Sequence, residues 1–88
     1  MAFDAQKYTA PLEAMLFVSG EAMTRESLKK ILGVSAEELA QVLEVYRADL
    51  AARSGALVLI EDAKLVRLGV APEYTGYLET LAKGELQE

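Results

Sequence analysis

Three helical segments punctuated by glycine, a capping box opening the third, and two alternating apolar runs behind it predict a mostly α fold with a small β-hairpin. In that order these elements make a winged helix-turn-helix: three helices, a two-stranded wing and a short C-terminal helix. A generic three-helix bundle with an appended hairpin contains the same elements and is the alternative. The chain of 88 residues is long enough for one such domain, expected over 1–88 with its ordered core at about 5–83.

The first helix is expected to start at Ala5 or Pro11 and to run to Ser19, because proline is tolerated only in a first turn or at a kink. Ala14 through Val18 offer no polar face, so this helix is expected to be central and covered on most sides. Gly20 stands where a helix end needs a left-handed residue, and Thr24 supplies a side-chain oxygen for the next set of unpaired amides. A second helix, Arg25 to Leu32, places Leu28, Ile31 and Leu32 on one side and stops at Gly33.

Ser35 and Glu38 form the capping box of a third helix, Ala36 to Arg53, with Gly55 as its stop. Leu39, Val42, Leu43, Tyr46 and Leu50 recur at spacings of three and four and define its buried stripe. The period then changes to two in Leu57–Ile60 and Leu65–Leu68, around the polar break Glu61-Asp62-Ala63-Lys64. Pro72-Glu73 opens the last helix, in which Tyr74, Tyr77, Leu78 and Leu81 share a face and Gly84 is the stop.

Composition removes whole classes of chemistry. With no cysteine and no histidine, there is no disulfide framework, no thiolate or imidazole catalysis, and no soft metal site. The serines have no base to activate them, the glycines lack phosphate-loop spacing, and Glu37 and Glu38 are explained by the helix dipole they meet. No catalytic, cofactor-binding or metal-ligating residue is therefore assigned, and the protein is read as not an enzyme. No apolar run approaches the roughly 20 residues of a membrane span, and the N-terminus lacks a signal-peptide pattern, so a cytoplasmic location is expected.

Net charge of −5 disfavours direct nucleic-acid binding, since phosphate repels an acidic chain. The outward side of the third helix repeats that sign: Glu37, Glu38, Gln41, Glu44, Val45, Ala48, Asp49 and Ala52 carry four carboxylates where a groove reader carries Arg, Lys, Asn or Gln. The wing adds only Lys64 and Arg67, beside Glu61 and Asp62. Hydrophobic residues make up 52% of the chain, more than a domain hiding about 60% of its surface easily covers.

Pairing Ile60 with Leu65 would turn Leu57, Leu59, Val66 and Leu68 to the helices and Val58, Ile60, Leu65 and Arg67 outward. Three apolar residues of four on an outward sheet face mark Val58, Ile60, Leu65 and Arg67 as the candidate protein interface. Coverage by the N-terminal segment around Phe3 and Tyr8 is the other way to hide them.

Leu12-Glu13-Ala14-Met15-Leu16-Phe17-Val18-Ser19-Gly20-Glu21, followed by Arg67-Leu68 and Pro72-Glu73-Tyr74, resembles the segregation and condensation protein B family over Leu12 to Leu81. The resemblance implies two winged-helix domains in tandem, with this sequence covering the first and the second lying outside it. It also implies a non-catalytic subunit that homodimerises through its N-terminal domains and clasps the kleisin subunit ScpA, segregation and condensation protein A. Both would act with the structural-maintenance-of-chromosomes (SMC) ATPase in bacterial chromosome condensation and segregation, on the nucleoid. Ala22 stands where the family usually has proline, and Gly69 and Ala71 where basic residues are common. A DNA-binding winged-helix regulator is the rival reading, and a stand-alone adaptor with another protein partner is a third.

Overall fold

The computed structural model describes residues 3–82. A 3₁₀ turn (Ala5–Tyr8) leads into α1 (Thr9–Ser19), β1 (Met23–Thr24), α2 (Arg25–Leu32), α3 (Ala36–Arg53), β2 (Leu57–Glu61) and β3 (Leu65–Val70), then a second 3₁₀ turn (Pro72–Tyr74) and α4 (Thr75–Ala82). Helix α3 sits against α1, α2, β2 and the first 3₁₀ turn. Its buried residues are Leu39, Val42, Leu43, Tyr46 and Leu50, the stripe that the three-and-four spacing picks out. Leu12 and Leu16 of α1, Leu28 of α2 and Val66 of β3 complete the core.

The helix ends obey local chemistry. Gly20 and Gly33 both take the left-handed conformation (φ 66° and 71°), and their amides donate to the carbonyls of Leu16 and Lys29. The Thr24 hydroxyl accepts from the Ser27 amide at 3.1 Å. In the capping box the Glu38 amide donates to Ser35 Oγ at 3.1 Å, and the Ser35 amide donates to Glu38 Oε1 at 3.0 Å. At the end of α3 the left-handed residue is Ser54 (φ 54°), one position before the expected Gly55, and its amide reaches the Ala51 carbonyl. The predicted stop at Gly84 lies outside the described residues.

Two expectations about packing are corrected. Helix α1 is not covered on most sides: Leu12 and Leu16 are buried, but Ala14 is exposed and Phe17 and Val18 are 75% and 81% exposed. From Ala14 to Val18 the helix carries no polar side chain, and only one side of it meets the core. On α2, Leu28 is buried and Leu32 packs on the core, while Ile31 is turned out.

The wing is three-stranded, in the order β1-β3-β2, all neighbours antiparallel. Two residues, Met23 and Thr24, pair with Val66 and Leu65 to add the strand that the two-residue period could not announce. The β2–β3 register is also corrected. Ile60 lies opposite Arg67 and Glu61 opposite Val66, two residues away from the Ile60–Leu65 pairing. The turn is tighter than the four-residue polar break suggests: the Asp62 amide donates to the Leu65 carbonyl, and Asp62 Oδ1 accepts from the amides of Lys64 and Leu65 at 2.8 Å. Those two amide bonds, stronger to the anion, hold the Asp62 carboxyl below its usual range.

Candidate protein-contact surface

A register shift of two residues leaves every side chain on its face, because the strand period is two. Val58, Ile60, Leu65 and Arg67 therefore still share the side of the sheet away from the helices, now joined by Gly69 opposite Val58. Ile60 and Leu65 are each 39% exposed, Arg67 is exposed and Val58 is half-buried. A Cβ on Gly69 would collide with Cδ1 of Ile60, so the Ile60 side chain lies flat over the glycine. The result is a low apolar patch with one guanidinium at its side. On the helix-facing side Val66 is fully buried and Leu59 and Leu68 pack on the core, with Leu57 at the rim.

The N-terminal segment lies elsewhere. Phe3 and Tyr8 stack with ring centroids 5.2 Å apart and pack on the core, and their 3₁₀ turn sits on α3 and α1. There Gln6 donates to Asp49 Oδ2 at 2.8 Å, so Asp49 is held against this turn. The outward patch keeps its exposure with that segment in place.

Helix α3 occupies the position of a recognition helix, and its outer side is acidic as read. Glu37, Gln41 and Glu44 are exposed, with Glu38 tied into the capping box. What the sequence reading missed is Arg47, which is half-exposed and pairs with Glu61 at the end of β2. The same carboxylate receives Arg25 from the start of α2 at 2.7 Å, while Arg25 Nε donates to the Asp62 carbonyl at 3.0 Å. Glu61 thus ties wing, second helix and third helix together at one 19% exposed side chain. A signal for this existed: Glu61 has the same strand parity as Leu57 and Leu59, which points it inward, and an inward carboxylate needs cationic partners. Which arginines supply them depends on contacts 36 residues apart for Arg25, beyond any periodicity.

Two further cations are also held by carboxylates. Lys29 pairs with Glu26 at 3.0 Å, and Arg53 Nη1 donates to Glu13 Oε2 at 2.6 Å. The buried Tyr46 hydroxyl donates to the same Glu13 oxygen at 2.9 Å, joining α1 to α3. Arg53, with help from Tyr46, holds the Glu13 carboxyl below its ordinary value. Burial, and then the Glu13 anion, push the Tyr46 phenol well above the ordinary tyrosine range. Arg25, Lys29, Arg47 and Arg53 are thereby fixed on protein carboxylates, which leaves the recognition-helix side without a ridge of free guanidinium groups among the described residues.

Among the described residues no group of three or more acidic side chains is placed to hold a metal ion, and no helix is long and apolar enough to cross a membrane.

Residues 10–88 match the family model described as segregation and condensation complex subunit ScpB. The chain is also similar to segregation and condensation protein B of Brevibacillus brevis, at 31% identity over 80 residues that cover 90% of this chain and 41% of that protein. It thus spans about two fifths of that relative's length. No solved structure gives a significant match.

Proposed function

The chain belongs to the family of segregation and condensation complex subunit ScpB, and we propose that it acts as a non-catalytic accessory subunit of a bacterial SMC–kleisin complex. In this reading it homodimerises, binds the kleisin subunit, and works on the chromosome from the cytoplasm. It grips proteins where related folds grip duplexes.

The observation that carries this reading is the disposition of charge and grease around α3. Arg25 and Arg47 both end on Glu61, and the free outer side of α3 is carboxylate-rich. Phosphate contacts supply most sequence-independent affinity for DNA, and this side presents the opposite sign. Ile60 and Leu65, with Val58 on the edge strand β2 and Arg67 on the central strand β3, instead offer a largely apolar seat of the kind protein partners bury.

The test is capture of the 88-residue chain by immobilised kleisin subunit, run beside Ile60→Lys. Wild type is expected to be retained, and Ile60→Lys to bind at least tenfold more weakly while melting at the same temperature. Loss of kleisin capture by the wild type, or equal capture of both proteins, contradicts the reading.

A further inference from the structure

Strand β2 lies at one edge of the sheet, since the strand order is β1-β3-β2. Two hydrogen bonds that bracket it decide which of its backbone groups are free. The Ala71 amide donates to the Ala56 carbonyl at 2.7 Å, and the Asp62 amide to the Leu65 carbonyl at 3.0 Å. Bonded and non-bonded pairs alternate along an antiparallel ladder, so Val58 and Ile60 direct their amides and carbonyls at β3. Those of Leu57, Leu59 and Glu61 point the other way, and among the described residues no backbone group of another segment meets them.

A native sheet edge is ordinarily kept short or interrupted by proline, lysine or a bulge, because open ladder groups invite a further strand. The opposite edge obeys that rule: β1 is two residues long and passes straight into α2. Strand β2 does not. Leu57-Val58-Leu59-Ile60-Glu61 pairs with β3 at every position without a bulge, and it contains neither lysine nor proline.

A groove of about 550 Å³ runs beside this strand. Leu57, Val58 and Leu59 all line it, and neighbouring strand side chains point to opposite faces, so the groove meets β2 at its edge. Residues of α3 between Arg47 and Ser54 form another wall, and the second 3₁₀ turn adds Pro72 and Glu73. The charged side chains of the groove are Arg47, already bound to Glu61, and Glu73, which joins none of the ion pairs found among the described residues.

We propose that β2 accepts an extended segment of a partner protein as a fourth strand, antiparallel to it as β3 is, with apolar side chains in the groove and a lysine or arginine against Glu73. This goes beyond the kleisin reading, which rests on the outward face and not on the edge. Open ladder groups at every second residue select an extended polypeptide over a helix. Charge selects its sign: the net charge of −5 and the unpaired Glu73 attract a basic segment and repel a second copy of this chain. Residues opposite Leu57, Leu59 and Glu61 share both their hydrogen bonds and their helix-facing side, so the same alternate residues of the incoming strand make the ladder and fill the groove.

The probe is the amidated peptide Lys-Val-Thr-Val-Thr-Val-Lys with fluorescein at its N-terminus, titrated into the 88-residue chain. Two analogues go beside it, one N-methylated at the valines and one at the threonines. The edits sit on the probe, so the folding of the chain is untouched. The expected result is saturable binding of the parent peptide, kept when the threonines are methylated and weakened about tenfold or more when the valines are, since the valine amides face β2. Amide exchange followed by NMR should slow at Leu57, Leu59 and Glu61 on adding the peptide, with Val58 and Ile60 slow throughout. No saturable binding up to about 1 mM peptide, equal weakening by both methylations, or binding without slowing at those three amides overturns the proposal. Slow exchange at the three before any peptide is added, in a chain that sediments as a dimer, overturns it in favour of pairing between two copies.

Discussion

Helices α1 and α3 are both rich in apolar residues, and they dispose of them in opposite ways. In α3 the large apolar residues Leu39, Val42, Leu43, Tyr46 and Leu50 all go into the core, and the remaining surface is largely charged or small. In α1 only Leu12 and Leu16 of the large residues are buried, and Phe17 and Val18 stand in solvent. The difference teaches that apolarity of a helix sets how much surface it wants covered, while the periodicity sets how much its own domain covers. Where the first exceeds the second, as in α1 and again in α4, the excess is left in solvent, the kind of surface that a partner covers.

The sharpest way to break that comparison is to treat the two helices alike. Leu43→Ala, inside the α3 stripe and only 1% exposed, is expected to cost about 2–5 kcal/mol in denaturant unfolding. Phe17→Asp on α1 should stay within about 0.5 kcal/mol of wild type, since exposed substitutions rarely do more. Equal losses at the two sites would mean that α1 is core after all.

Next in size is the carboxylate that binds wing to helices. Glu61→Gln removes the charge that Arg25 and Arg47 share, at a largely buried position, and is expected to cost about 1–3 kcal/mol. Arg47→Met, at the half-exposed partner, should cost under about 1 kcal/mol. Chemical denaturation of the two variants checks the order.

Glu13 sharpens the comparison through pH. Its folded pKa is lowered by Arg53 and Tyr46, so its contribution is present above the unfolded value of 4.5 and is lost as pH falls through the lower folded value. Glu13→Gln should therefore destabilise at neutral pH, by about 1 kcal/mol for a hydrogen-bonded pair at the surface, and the gap to wild type should shrink as the solution is acidified below 4.5. Thermal melts across that range measure it.

The smallest effect concerns the end of α3. Ser54 holds a left-handed backbone that costs a non-glycine residue about 1–2 kcal/mol, partly offset by glycine's greater freedom when unfolded. Ser54→Gly should raise stability by about 0.5 kcal/mol, and a loss would show that the serine side chain is needed there.

These effects follow the line between what was legible in the sequence and what was not. The limits of α2 and α3, the stripe of α3, the Gly20 and Gly33 stops, the Thr24 cap and the Ser35–Glu38 box are local, set by residues within four positions of one another. Strand β1 escaped because two residues carry no period. The hairpin register slipped because Asp62 tightens the turn with its own carboxylate, although the faces survived the even shift. The exposure of α1 escaped because an all-round apolar segment looks the same whether it is enclosed or awaiting a partner. The outward Val58, Ile60, Leu65 and Arg67 do share a face, but the Arg25–Glu61–Arg47 junction depends on contacts between segments far apart in the chain.

That junction carries the central claim, that this fold meets protein and not duplex. Fluorescence anisotropy of a labelled random duplex titrated with the 88-residue chain at low salt tests it most directly. The account predicts no rise in anisotropy; a saturating rise that collapses steeply as salt is added, the signature of several released counterions, would contradict it.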